Sequence, residues 1–395
     1  MGYSENEYDN QLKSISLPST LKAIQGGAFD TTPMLQNIIV RAATAPTARD
    51  GWFGAEKDRV KVIVPNGSIN SYRLADVWSE YMLVQQTPVE INIANAETGE
   101  LEHLILEHVD YLQEVNKLTI ASGTLNSTDW NVLKSMTNLI ELDIEGISND
   151  YIAENQFSYS KLEAIRLPKN LREVSTRSFN NSYRLSSIVL PDSVKALRYS
   201  AFNNCNNLKE VALNEGLELI EGYAFSSCDI RSITIPSTVK RIEHEAFAYN
   251  RNMTELNFME GVEEIHYNAF NDCDALTEVT LPSTLLRCVH SFNSCDNLTT
   301  IISNAIVPAY TENNCPVTGS DLSKVVLKVP VWSIDEYKFA PGWSQIPVIE
   351  ASEYQPETII IRKDYTFRLK ETDVDSTYRP NIVLKWSDVW SYDDL

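Results

Sequence analysis

Six cysteines in 395 residues are the first side chains to question, because thiolates bind soft metals, attack carbonyl carbons and join into disulfides. Cys205, Cys228, Cys273 and Cys295 each stand three residues after a phenylalanine, while Cys288 and Cys315 fall elsewhere. If successive phenylalanines stack at the strand spacing of about 4.8 Å, these thiols form a column, and Cys205 and Cys228 could meet if their side chains turned toward each other. The same slot holds Ser182 and Asn250 in sibling segments, which marks a small, mostly buried packing position where free cysteine is at home. Six cysteines are also too few for a disulfide scaffold at this length.

The remaining chemistry is weaker still. His103 and His108 are five apart on an expected helix, which does not put both on one face as a four-residue spacing does. His244, His266 and His290 sit at differing offsets before a phenylalanine and have no third ligand in step, so they read as solvated turn residues and no metal is expected. No G-x-S-x-G elbow, glycine-rich phosphate loop or D-x-D-x-D-G calcium loop occurs, so neither an enzyme nor a cofactor is expected. Carboxylate pairs such as Glu263 with Glu264, or Asp143 with Glu145, belong to an acidic surface and carry no sign of a glycosidase cleft.

Those side chains must be held by something, and the sequence says what. An L-x-x-I-x-L pattern recurs as LEAIRLP at 162, LSSIVLP at 185, LKEVALN at 208, IRSITIP at 230, MTELNFM at 253, LTEVTLP at 276 and LTTIISN at 298. The steps are 22 or 23 residues, and the ladder extends back to LIELDIE at 139 and VNKLTIA at 115 and forward to LSKVVLK at 322, ten rungs in all. Apolar residues alternate within each rung, the period of a strand with one buried face. A second motif follows at a fixed interval, as in LELIEGYAFSSC from 217 and VKRIEHEAFAYN from 239, aligning Phe179, Phe202, Phe225, Phe247, Phe270 and Phe292. One coil is therefore a strand, a proline-marked corner, a short extended V-x-x-I segment and one helical turn carrying Ala-Phe. A single coil cannot bury its apolar face alone, so stacking must stabilise it.

This repeat, L-x-x-I-x-I-P-x-S/T-V-x-x-I-x-x-x-A-F-x-x-C, resembles that of the BspA-like leucine-rich-repeat family of bacterial cell-surface proteins, from about 115 to 310 and again in a shorter stretch from 12 to 40. The resemblance implies a repeat solenoid: a right-handed coil of short parallel β-strands with short helical turns, here followed by a small β-rich C-terminal segment.

Two atypical segments, one from 42 and one from 304, share a strand ending in Val-Pro, then Ser-Ile, a tyrosine (Tyr72 or Tyr337) and a tryptophan (Trp78 or Trp343). Each reads as a terminal cap, since a solenoid must cover its apolar ends. Residues 1–87 are then the last repeats and cap of a first solenoid. An amphipathic cap helix within 88–114, carrying Leu101, Leu104, Ile105, Val109 and Leu112, opens a second solenoid over 115–350. In NSTDWNVLKSM a longer helix replaces the Ala-Phe turn, with Ser127 or Thr128 as its expected N-cap. Residues 351–395 read as a β-rich segment resembling the start of an immunoglobulin-like module or a simple β extension.

With 54 acidic residues against 33 basic and a net charge of −21, the chain repels phosphate backbones, so nucleic acid is not an expected partner. No run is apolar enough to cross a bilayer, so no membrane insertion is expected. The opening MGYSENEYDNQ lacks both regions of an export signal, so the sequence reads as an internal piece of an exported, monomeric protein. The outward strand positions, Glu141, Asp143, Arg166, Glu210, Thr234, Glu255, Asn257, Glu278 and Thr280, form a mildly acidic face. The family resemblance implies adhesion to an extracellular protein through such a surface, on a host matrix or another cell. A structural spacer that displays neighbouring domains is the competing expectation, and a carbohydrate-binding protein the most remote one, since it needs an aromatic or carboxylate cleft.

Overall fold

The computed structural model describes residues 12–29, 32, 34–49 and 60–354, together with the backbones of the strands Thr358–Arg362 and Asn381–Lys385. The chain divides into two compact units, residues 1–119 with 127–141, and residues 120–126 with 142–395.

In the first unit, four strands, Ser14–Leu17, Asn37–Val40, Lys61–Val64 and Met82–Gln85, lie parallel in chain order. Their alternation sends Ile38, Val40, Val62 and Val64 inward. A shorter parallel pair, Ala23–Ile24 with Thr47–Ala48, follows the corners. Val89–Ile93 then lies beside Val115–Ile120.

Helix between these last strands is shorter than the apolar spacing suggests. It spans only Leu101–Leu106, burying Leu101 and Ile105, and a separate 3-10 turn covers Leu112–Glu114. A ring nitrogen of His108 meets the carbonyl of Leu104 at 3.0 Å, and Tyr111 is extended so that the chain can turn into the next strand. The helix over Ser127–Ser135 is present, but Ser127 and Thr128 lie inside its first turn. Asp129 on that turn is fully buried and accepts the backbone N–H groups of Gly99 (2.8 Å) and Leu101 (3.1 Å). One carboxylate thus satisfies two donors where the first helix starts. Asp129→Ala leaves the Leu101 N–H unpaired in the interior and that of exposed Gly99 to solvent, and we expect it to lower stability by about 1–3 kcal/mol, read as an earlier urea midpoint.

The second unit is the regular part. The short second strands, from Glu173–Val174 through Ala196–Leu197, Leu219–Ile220, Arg241–Ile242 and Glu264–Ile265 to Arg287–Cys288, form one six-stranded parallel sheet. The main strands form a two-stranded piece, Ser187–Val189 with Glu210–Ala212, and a six-stranded sheet of Ser232–Ile235, Glu255–Phe258, Glu278–Leu281, Thr300–Ser303, Val326–Pro330 and Val348–Ser352. The pairings are parallel and follow the 22- or 23-residue period, as in Ile233 with Leu256 and Val279 with Ile301, except at the cap, where Ile301 pairs with Leu327, two residues beyond the partner expected from the rung at 322.

The third side of each coil has no strands, yet its backbone is fully engaged. Residues four apart take left-handed backbone angles, as in Asn155 and Tyr159, Arg177 and Asn181, Ser200 and Asn204, and Tyr223 and Ser227. This curls the Ala-Phe turn so that its N–H groups point along the stack. Phe179, Phe202, Phe225 and Phe247 donate to the carbonyls of Ala201, Ala224, Ala246 and Ala269 in the next coil, at 2.7–2.8 Å. Every side of the coil is therefore hydrogen-bonded to its neighbour, which is why short irregular turns survive in the interior.

The two cap-like segments share their geometry. Tyr72 Oη donates to Ala42 O (2.6 Å) and Trp78 Nε1 to Pro46 O (2.6 Å), with the rings edge to face at 5.3 Å. Tyr337 Oη donates to Ala305 O (2.9 Å) and Trp343 Nε1 to Ala309 O (2.8 Å), with the rings at 5.5 Å. Residues 50–59 of the first segment lie outside the described residues. Beyond the solenoid, Thr358–Arg362 and Asn381–Lys385 pair parallel. The rest of 355–395 is outside the described residues. No helix among the described residues is long and apolar enough to cross a membrane.

Candidate functional site

The phenylalanine column has the geometry of a continuous stack. Ring centroids from Phe157 through Phe179, Phe202, Phe225, Phe247 and Phe270 to Phe292 are 5.0–5.4 Å apart, with interplanar angles of 22° or less. The slot three residues later is more than a small packing position. Cys205 Sγ donates to Phe179 O (3.1 Å), Cys228 Sγ to Phe202 O (3.3 Å), Cys273 Sγ to Phe247 O (3.6 Å) and Cys295 Sγ to Phe270 O (3.2 Å). Ser182 and Asn250 do the same for Phe157 O (2.7 Å) and Phe225 O (2.9 Å). What Cys, Ser and Asn share is a compact side-chain donor, and the slot selects for that.

All six cysteines are free and buried. Loss of water around the sulfur pushes Cys205, Cys288 and Cys295 up to about 12 and raises Cys228, Cys273 and Cys315 as well. The thiol, not the nucleophilic thiolate, is the form present at neutral pH. We therefore expect the folded chain to resist iodoacetamide at pH 8 while denaturant exposes six reactive thiols; rapid alkylation of the native protein would contradict this burial.

The histidines separate. His103 Nε2 lies 3.4 Å from Glu107, and His266 Nε2 lies 2.8 Å from Glu264, a contact that holds the Glu264 carboxyl below its usual range. His244 packs edge-on to Tyr223 at 5.2 Å and His290 against Tyr267 at 5.3 Å. Among the described residues, no group of three or more His, Cys, Asp and Glu side chains could hold a metal ion.

The outward strand residues are exposed, apart from half-buried Asp143. Thr234, Asn257 and Thr280 occupy one register position on three consecutive strands, and Glu255 and Glu278 share another. Ser232 Oγ, opposite Glu255, donates to its carboxylate at 2.9 Å. Glu210 faces Ser187 in the separate two-stranded piece. Arg166 lies 3.6 Å from Asp143 and 3.7 Å from Glu145, and Glu141 is ion-paired with Lys117 at 2.7 Å. These nine positions belong to three separately hydrogen-bonded sets of strands. The part with common register runs from 232 to 280, and it is polar and faintly acidic.

A second surface lies outside these positions, on the turn side of the stack. There Tyr159, Tyr199 and Tyr223 line a groove of about 480 Å³ with Arg177 and several asparagines. The sequence places Tyr199 and Tyr223 three and two residues before a repeat phenylalanine but Tyr159 two residues after one, so only the curl of the turns shows that the three line one groove.

The sequence matches the family described as BspA type Leucine rich repeat region in six copies, over residues 5–72, 129–254, 172–299 and 240–346. It matches none of the curated proteins. Among solved structures it is similar to a leucine-rich repeat protein from Bacteroides ovatus, with 14% identity over 88% of this chain and 94% of that one and a TM-score of 0.32. It is also similar to a leucine rich cell surface protein from Faecalibacterium prausnitzii, with 17% identity over 88% and 81% of the two chains and a TM-score of 0.31. The pneumococcal vaccine antigen PcpA is a third, with 16% identity over 89% and 91% and a TM-score of 0.39.

Proposed function

Because the chain belongs to the BspA-type leucine-rich-repeat family, we propose that it is a non-enzymatic binding module, secreted or held at a cell surface, that presents its wide strand face to an extracellular protein. The observation that supports this most is the row of exposed hydrogen-bonding side chains, Thr234, Asn257 and Thr280 with Glu255 and Glu278, held in fixed register by parallel strands. Side chains fixed by a sheet lose little freedom on contact, so an extended partner meets an ordered template. In this reading residues 1–87 close one solenoid, 88–114 open the next, 115–350 form the binding array and 351–395 begin a further β-rich segment. A panel of purified extracellular-matrix and cell-surface proteins, probed with the full chain, is expected to retain it on at least one protein; silence across the panel removes the proposal.

A further inference from the structure

We propose that the groove on the turn side is an oligosaccharide-binding site. It lies entirely within the second unit and shares no residue with the strand face.

The groove spans successive coils. Tyr159, Tyr199 and Tyr223 come from three turns, and a fourth turn between the first two supplies Arg177. Tyr159 is 70% exposed, far more than its role in any packing would leave it. Tyr199 and Tyr223 meet edge to face at 5.5 Å, and the Arg177 guanidinium lies 5.8 Å from the Tyr199 ring centre. Between the rings stand amides, among them Asn180 and Asn203.

Three observations select a sugar over other ligands. No carboxylate lines the groove, although the chain carries 54 acidic residues, so the site is not built for a cation. Among the described residues Arg177 makes no ion pair, whereas Arg166, Arg172, Arg184 and Arg198 on neighbouring coils all do. Its donors are therefore free for a neutral hydroxyl or a sugar carboxylate. The rest of the lining, including Ser158, Asn203 and Asn204, is made of neutral hydrogen-bonding side chains that match hydroxyl groups.

A pyranose ring supplies what these groups lack. Its C–H face stacks on an aromatic ring, and its hydroxyls accept from Arg177 or Asn203. The lining, all tyrosine, asparagine, serine and arginine, offers no apolar pocket for the apolar anchor side chain of a peptide. The volume falls in the range of about 300–1,000 Å³ usual for small-ligand sites, enough for a short glycan segment along the coils.

The backbone is consistent with a surface chosen for its side chains. Tyr159, Arg177 and Tyr223 adopt left-handed angles of 55–60°, where asparagine or glycine is less strained. Bulky groups at these positions aim their chemistry outward at some cost in backbone energy.

The test is a printed array of neutral and carboxylate-bearing oligosaccharides probed with the full chain, followed by calorimetric titration of the glycans retained. Tyr199→Ala, at an ordinary backbone angle, and Arg177→Asn, which suits the left-handed angle, are compared with the parent chain, with circular dichroism confirming the fold. We expect retention of at least one glycan and a loss of at least tenfold in affinity for each variant. Reversal of Glu210, Glu255 and Glu278 to lysine is expected to leave glycan affinity unchanged, which separates this site from the strand face. Silence across the array, binding that persists in both variants, or binding lost only on strand-face reversal each overturns the proposal.

Discussion

Replacing Phe225 with alanine is expected to destabilise the folded chain by about 4 kcal/mol, a large part of the 5–15 kcal/mol that typically holds a folded domain together. The ring is fully buried and lies between Phe202 at 5.2 Å and Phe247 at 5.3 Å, so its removal opens a cavity whose floor and roof are both aromatic. The backbone around it cannot collapse inward to fill the space, because Phe225 N already donates to Ala246 O at 2.7 Å and Phe202 N to Ala224 O at 2.8 Å. In a solenoid each coil touches only its neighbours, so the damage should stay local. Hydrogen exchange should quicken in the coils around residues 202–247 while the cap strands Val326–Pro330 and Val348–Ser352 keep their protection. A loss below about 1 kcal/mol in a denaturant titration would show that the column is not what couples the coils.

Asn250→Leu is expected to cost a similar amount, about 4 kcal/mol, for a different reason. Sibling coils place two residues between the donor slot and the next apolar strand residue, as Asn206 and Asn207 stand between Cys205 and Leu208. There the N–H of Leu208 bonds to Cys205 O at 2.8 Å. Only Asp229 separates Cys228 from Ile230, so that turn cannot close in the same way. Asn250, one coil on, repairs it: its Oδ1 accepts the Ile230 N–H at 3.1 Å while its Nδ2 donates to Phe225 O (2.9 Å) and Phe247 O (2.8 Å). Leucine fills the volume but leaves a buried N–H unpaired and takes a donor from two carbonyls, each loss costing about 1–3 kcal/mol. Asn250→Ser, which keeps one donor, should lose roughly half as much. Cys228→Ser, which keeps the donor to Phe202 O, should change the urea midpoint little.

The shortened coil also shows where the sequence stops being readable. Register, strand positions and the aligned phenylalanines all follow from a period of 22 or 23 residues, because stacked parallel coils translate sequence period directly into contact. The slot of Cys205 and its siblings was legible as small and buried, but its hydrogen bonds depend on side-chain direction, which composition does not carry. The cap helix expected to run toward Val115 ends at Leu106: Leu101 and Ile105 are buried and the Leu101 N–H is held by Asp129, while the apolar residues further on fall in a separate 3-10 turn over Leu112–Glu114. On the surface, alternation identified which strand residues point outward. It could not show that Glu210 belongs to a separate sheet piece from Glu255 and Glu278, nor that three tyrosines on left-handed turns share a groove.

The claim that the strand face binds protein is tested most directly by titrating a retained matrix or cell-surface protein against the chain in which Glu210, Glu255 and Glu278 are all changed to lysine. These side chains are exposed and make no ion pair among the described residues, and the one side-chain hydrogen bond lost, from Ser232 to Glu255, is itself exposed, so the fold should be little affected. The proposed function predicts at least a tenfold weaker affinity with an unchanged unfolding midpoint. Affinity equal to that of the parent chain would contradict it and leave the solenoid as a spacer for the segments it joins.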